Sequence, residues 1–491
     1  MTSSVFDRIS GSSRRLARLR GTLLSEVLPA IRLALLLGVV GCSVSAQPSR
    51  PGDGGGAAGE GGGGSAEAPP PPGLSEEDLL ARLKKHLLPA NRPRRPDITN
   101  AYADDPRAAK LGKKFFHDRR FSGPLLAHDN TGGIGTLGRA AEVNKVSCAD
   151  CHIPHDGYVD TRSTRGQLSL ASGWTRRRTP TLLDVAQVDI LNWDGRRDTA
   201  YSVVFGVIES PLEFNSSRLY VAQQIARFYR EDYEEVFGPL PSLHQYDPLD
   251  AARAGCEIMP LDATNEQCLH PGVDDAEVTR VVVNFGKAIS AHMRQLECGR
   301  SRFDDWLEGD EDALSPEEVA GAKLFVGKAE CATCHVGPYF SDHKFHNVGV
   351  PGSLSPFTGI DTRGDRGAAL GLQLVQEDWL NSRGPFSDGD DNRLDQIPGD
   401  LEKLEGAFRT PMLRCAGRRP SYFHNGDFRS LIDVVEHFIR GGGDQKDVVG
   451  KSELKPLPLS PTERDELVAF LKALEGPGPD LEIISTPELP P

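Results

Sequence analysis

Two five-residue segments constrain this chain more than anything else in it: Cys148-Ala149-Asp150-Cys151-His152 and Cys331-Ala332-Thr333-Cys334-His335. Both are C-x-x-C-H, the spacing at which two thiols form thioether bonds to haem vinyl groups while the adjoining imidazole reaches the iron. A tetrahedral zinc site would need further ligands, and neither His has a second C-x-x-C nearby. The expectation is two covalently bound c-type haems, attached at Cys148, Cys151, Cys331 and Cys334, with His152 and His335 as axial ligands.

The surroundings of the two segments repeat. Upstream of each lies a helical pattern ending in aromatics, Ala109-Lys110-Leu111-Gly112-Lys113-Lys114-Phe115-Phe116 and Val319-Ala320-Gly321-Ala322-Lys323-Leu324-Phe325. The second has a clear start in Ser315-Pro316-Glu317-Glu318: an N-cap, a proline in the first turn and a capping-box glutamate. Downstream, Arg178-Thr179-Pro180-Thr181-Leu182 returns as Arg409-Thr410-Pro411-Met412-Leu413, and fifteen residues past each proline stands a glycine, Gly195 and Gly426. Order and spacing kept together argue for an internal duplication. The fold class expected is mostly α, two cytochrome c-like domains in tandem over 75–300 and 301–478, with long loops, little β-structure and a short tail at 479–491.

The N-terminal region reads as an address. Six arginines face Asp7 and Glu26 within residues 1–41, and an apolar run from Leu33 to Val40 follows, too short to span a bilayer. The run ends at Cys42 in Val39-Val40-Gly41-Cys42, the layout of a bacterial lipoprotein signal with Cys42 as the lipidated first residue. Residues 42–74 then form a tether: positions 46–73 hold 10 Gly and 6 Pro, a composition that cannot offset its ordering entropy by burial. The chain is expected to be exported and lipid-anchored on the periplasmic side of a bacterial membrane. Its net charge of −14 argues against a nucleic-acid partner.

Of the nine cysteines, four remain after the haem and lipid positions are set aside: Cys256, Cys268, Cys298 and Cys415. They allow three pairings. Cys256 with Cys268 would close a short ring worth about 3 kcal/mol, leaving Cys298 to meet Cys415 across the two halves.

Several segments together resemble the bacterial di-haem cytochrome c peroxidases and their relative MauG, which oxidises residues of a partner protein. They are Leu111 to Ser122, Trp193-Asp194-Gly195-Arg196, Glu209-Ser210-Pro211-Leu212-Glu213, Phe345 to Pro351, and Phe408-Arg409-Thr410-Pro411 through Tyr422-Phe423-His424-Asn425-Gly426. The resemblance runs from about residue 100 to 475. It implies a first haem that meets hydrogen peroxide, a second that takes up electrons, and Trp193 between them. Glu213 matches the distal carboxylate that shuttles a proton between the peroxide oxygens. The implied activity is a peroxidase drawing electrons from a small donor protein, a cytochrome c or a cupredoxin. The alternatives are a MauG-like oxidase acting on a protein substrate and a plain electron-transfer cytochrome.

The sequence also departs from the family pattern. A second distal group, Gln in the family, is Val203 here. No His occurs between His155 and His244, so no distal His is expected to close the first haem. At the second haem the distal-ligand position, Met or Tyr in the family, is Phe438, which cannot bind iron. The neighbouring His437 is the candidate to replace it, ahead of His424, His343, His346 and Met412. Family positions for an interhaem calcium carry Arg178 and Arg419, side chains without acceptor oxygens, which makes calcium doubtful and haem propionates or a structural salt bridge their alternative partners.

Overall fold

A computed structural model describes residues 74–162, 168–255, 275–355, 358–389 and 391–491. The signal segment 1–41, Cys42, most of the tether, and Cys256 and Cys268 lie outside the described residues. In chain order the helices are α1 (Glu76–Leu83), α2 (Pro106–His117), α3 (Cys148–Cys151), α4 (Ala200–Glu209), α5 (Arg218–Phe228), α6 (Arg230–Phe237), α7 (Ala276–Met293), α8 (Arg302–Leu307), α9 (Pro316–Val326), α10 (Ala368–Glu377), α11 (Leu431–Arg440), α12 (Pro461–Ala473) and α13 (Leu481–Ile484). Two short strands, β1 (Phe345–His346) and β2 (Phe408–Arg409), pair antiparallel with Phe345 opposite Arg409. The fold is mostly α, as expected. No helix among the described residues is long and apolar enough to cross a membrane.

The helix starts follow from local chemistry. Asp105 caps α2 and Ser315 caps α9 with a reciprocal capping box to Glu318, each ahead of a proline in the first turn. Each of these helices then crosses a partner at a glycine. A Cβ on Gly112 would stand 1.9 Å from the carbonyl oxygen of Ala288 in α7, and one on Gly321 would stand 1.9 Å from that of Glu466 in α12. Gly112 and Gly321 each precede a buried phenylalanine by four residues, Phe116 and Phe325. The duplication thus extends to the way the helix pairs touch.

Two aromatic cores result. In the first, Phe115 stacks on Phe285 at 4.5 Å and Phe121 meets the same ring edge-on at 4.8 Å. In the second, Phe303, Phe325, Phe340 and Phe470 cluster, with Phe325 and Phe470 5.3 Å apart. Two segments cross the division expected from sequence. Residues 76–88, assigned above to the first domain, pack with the second: Leu83 enters its core, Arg82 donates to the Val326 carbonyl, and His86 stacks on Phe340 at 4.7 Å. The tail returns to the first, where Ile483 and Ile484 lie against its core and Arg120 donates to the Pro490 carbonyl at 2.8 Å. A disulfide joins Cys298 to Cys415, their Cα atoms 5.9 Å apart.

Candidate haem-binding active site

The two C-x-x-C-H segments are held alike. Ser147 and Asp150 form a capping box on α3, and the Asp150 carboxylate also receives Arg119. The His152 backbone N–H donates to the Cys148 carbonyl at 2.8 Å, and that of His335 to the Cys331 carbonyl at 3.0 Å. Each imidazole then turns Nδ1 to a carbonyl oxygen, His152 to Tyr158 at 3.1 Å and His335 to Phe340 at 2.8 Å. Tyr158 and Phe340 both adopt positive φ, 59° and 55°. A carbonyl only accepts, so Nδ1 carries the proton in both rings and Nε2 keeps its lone pair. This is the tautomer an axial ligand needs, with its partner fixing ring orientation. Burial pushes both imidazoles down to about 4, so they stay neutral.

Cys148, Cys151, Cys331 and Cys334 are free thiols beside these rings. Burial raises the Cys148 and Cys331 thiols to about 12. Nearby donors lack partners: Nε and Nη2 of Arg178, Nε and Nη1 of Arg162, Nη1 of Arg409, and the Tyr158 hydroxyl are buried without hydrogen bonds. Arg162 also places Nη2 3.6 Å from Cys151 Sγ. Paired thiols, a correctly protonated His, and unsatisfied guanidinium donors for carboxylates fit a covalently attached haem at each segment.

Glu213 sits in the turn after α4, where its backbone N–H donates to Ser210 and its carbonyl accepts from Ser172. Burial raises its carboxyl above the usual range, opposed by Arg196, a Ser210 hydrogen bond and Arg197. Its charge reaches both Cys148 and Cys151 of the first C-x-x-C-H segment. Val203 packs in an apolar cluster with Val188, Leu191 and Met412. Trp193 is buried where the halves meet, donating Nε1–H to the Arg178 carbonyl and accepting from the Arg409 backbone N–H, both at 2.8 Å.

At the second site His437, the candidate ligand, is engaged by the backbone. Its Nε2 lies 2.7 Å from the Val348 carbonyl and must donate there, the reverse of the tautomer adopted by His152 and His335. Phe438 lies beside Phe423, with ring centres 6.3 Å apart. The weaker candidates are engaged as well. His346 bonds Asp342 at 2.9 Å and Glu453 at 2.8 Å, and Asp342, the Cys334 sulfur and Glu453 together push it up to about 11. His424 stacks 3.5 Å from the Phe408 ring, and Met412 lies in the apolar cluster. His343 is pushed down to about 4 by burial.

Sequence reasoning missed His292 of α7, fully buried against Phe116 with neither ring nitrogen hydrogen-bonded. It also missed Arg409, whose Nη1 is buried without a hydrogen bond and whose signal was its place in the repeated Arg-Thr-Pro.

Comparison with known proteins agrees with this arrangement. The sequence profile of the family described as di-haem cytochrome c peroxidase matches residues 106–312. The chain is 29% identical over 388 residues to the methylamine utilization protein MauG of Methylorubrum extorquens, covering 78% of this chain and 82% of that protein. It is also 29% identical over 395 residues to cytochrome-c peroxidase IdrP2 of a Pseudomonas species, covering 80% and 87%. The fold matches the di-haem peroxidase BthA of Burkholderia thailandensis with a TM-score of 0.55 at 21% identity, over 80% of this chain and 95% of that one. With two haem-attachment segments built alike on a duplicated scaffold, the chain belongs to the di-haem cytochrome c peroxidase and MauG family of oxidoreductases and carries two c-type haems.

Proposed function

We propose that this protein reduces hydrogen peroxide to water at the His152 site, drawing two electrons from an external donor protein through the His335 half. The observation that carries the proposal is Glu213, a half-buried carboxyl of raised pKa whose charge reaches the cysteines of the first C-x-x-C-H segment. When bound, the haems supply the redox chemistry that cleaves the O–O bond. The chain's own residues do the rest. Tyr158 fixes the His152 ring through Nδ1. Glu213 accepts a proton from one peroxide oxygen and returns it to the other, and with two further protons from solvent and two electrons each oxygen leaves as water. Trp193, hydrogen-bonded to both halves, bridges the two sites. The sequence has no His between His155 and His244 to act as a distal ligand, and in this reading the first site is open at rest.

The test is donor oxidation driven by peroxide. Glu213→Gln should slow the reaction with peroxide by roughly 10²–10⁴, with haem content unchanged. An unaltered rate would remove Glu213 from the mechanism. A second reading, oxidation of residues on a partner protein, is favoured by Phe438, which forbids a methionine at the second iron. Slow donor turnover together with long-lived oxidation of both haems would select it. The partners proposed are a cytochrome c or cupredoxin donor, or for the second reading a protein substrate. Export through residues 1–41 and anchoring at Cys42 would place the enzyme on the periplasmic face of a membrane, with 42–74 as its tether.

A further inference from the structure

Three arginines converge where the halves meet, and none pairs with a carboxylate among the described residues. Arg178 and Arg409 open the repeated Arg-Thr-Pro, so the duplication delivers one guanidinium from each half, and Arg419 joins them from the loop after the second copy. The backbone locks them together through Trp193: its Nε1–H bonds the Arg178 carbonyl, its carbonyl bonds the Arg409 N–H, and Arg409 Nε donates to the Asn192 carbonyl at 3.2 Å. Arg178 is only 3% exposed, yet its Nε and Nη2 have no partner, and neither does Arg409 Nη1. Arg419 reaches the Met412 carbonyl at 2.8 Å, but its charge repels both of the others. Asp184 and Tyr422 lie within electrostatic reach of Arg419 without forming an ion pair.

Neighbouring arginines show what this chain does elsewhere. Arg177, adjacent to Arg178, pairs with Asp194 and Asp365 at 2.5 and 2.6 Å, and fully buried Arg414 pairs with Asp304. Gathering three guanidiniums, Arg178 buried and Arg409 and Arg419 half-buried, without anions is unfavourable, and this in a chain that is acidic overall. Burial pushes Arg178 down to about 9 and Arg409 and Arg419 to about 10, the direction of groups waiting for a counter-charge.

We propose that Arg178, Arg409 and Arg419 form a built anion site that takes propionate carboxylates of both haems, and that these guanidiniums supply at the junction the positive charge a bound divalent cation would otherwise give. Guanidiniums match carboxylates bidentately and offer no oxygen to a metal ion. Calcium is excluded by both chemistry and charge. This rests on the two haems and not on the peroxide reaction, because its readouts are potentials and cation binding.

The experiment uses the haem-loaded protein. Potentiometric titration of Arg178→Gln and Arg419→Gln should show both haems harder to reduce, the reduced-to-oxidised ratio at a fixed potential falling about tenfold per charge removed. Arg178→Lys should recover part of the shift. Circular dichroism and haem content confirm that each variant is folded and loaded. Chelation of the wild type with EGTA, followed by added calcium, should leave spectra and potentials unmoved, with no stoichiometric calcium uptake by calorimetry. A folded, loaded Arg178→Gln protein with unshifted potentials would overturn the proposal. So would one calcium per chain that shifts either haem.

Discussion

Trp193 donates its indole N–H to the carbonyl of Arg178 at 2.8 Å, so a side chain buried where the two halves meet hangs on the backbone of the first Arg-Thr-Pro copy. Its own carbonyl receives the Arg409 N–H of the second. Trp193→Phe keeps an aromatic ring and removes the donor, leaving a carbonyl that must find water or stay unsatisfied. The expected loss is about 1–3 kcal/mol of stability in denaturant unfolding. Donor-dependent peroxide turnover should fall while the resting haem spectrum stays as it was. Normal turnover with the expected destabilisation would make Trp193 a structural residue only.

Asp184 makes stability depend on pH in an unusual direction. It is a buried carboxylate at positive φ, 59°, raised from 3.8 to about 6 by burial, against the pull of Arg92 and Arg414. Between pH 4 and 6 the folded state binds more protons here than the unfolded chain, so this group's contribution to stability falls as pH rises through that window. Asp184→Asn removes the ionised form, keeps an oxygen for the Cys298 N–H, and suits the left-handed backbone. Above pH 6 it should gain up to about 3 kcal/mol, and nothing below pH 4. Urea midpoints across pH 4–8 check the sign.

What could be read from the chain was local or periodic. C-x-x-C-H is legible because thioether geometry fixes its spacing within five residues, and the duplication is legible because Arg-Thr-Pro and its following glycine recur in order. The structure repeats them down to the backbone: Asn192 and Phe423 have φ of 66° and 60°, Gly195 and Gly426 of 80° and 71°. Partnership across the fold was not legible. Arg177 and Arg178 are neighbours, and only the fold gives Asp194 and Asp365 to one and no carboxylate to the other. His437 was singled out by its offset from Pro411, but its tautomer is set by Val348, 89 residues away. The docking of α1 on the second core had no signal, since an amphipathic eight-residue helix does not name its partner.

Arg414 and Asp304 form an ion pair with both side chains fully buried, Nη1 and Nη2 meeting the carboxylate at 2.7 and 2.8 Å. Arg414 also donates to the His86 carbonyl, and Asp304 accepts the Leu88 N–H at 2.8 Å, so the pair pins the segment after α1 to the second half. Burial raises the Asp304 carboxyl, but Arg414 and the backbone donors outweigh it and hold it low. Arg414→Met strands a buried carboxylate and should cost about 3–5 kcal/mol at neutral pH. A group with a depressed folded pKa contributes stability above its unfolded pKa and loses it as pH falls through the folded one. The wild type's advantage over Arg414→Met should therefore shrink in acid, which thermal melts at pH 3 and pH 7 measure.

The glycine crossings set the sharpest steric test. In an exposed helix, Gly→Ala gains up to about 1 kcal/mol from propensity. At Gly321 the new Cβ would lie 1.9 Å from the Glu466 carbonyl oxygen, a backbone atom that cannot rotate aside, so α9 and α12 must separate by more than an ångström. Overpacking of this kind costs about 1–3 kcal/mol net, and the steric term wins. Gly112→Ala meets the Ala288 carbonyl at the same distance and should behave alike in the first half. Gly399, with nothing within 4 Å of the added carbon, is the control, and its alanine variant should stay within about 0.5 kcal/mol of the parent. Equal urea midpoints for Gly321→Ala and Gly399→Ala would mean that the two helices do not cross at Gly321.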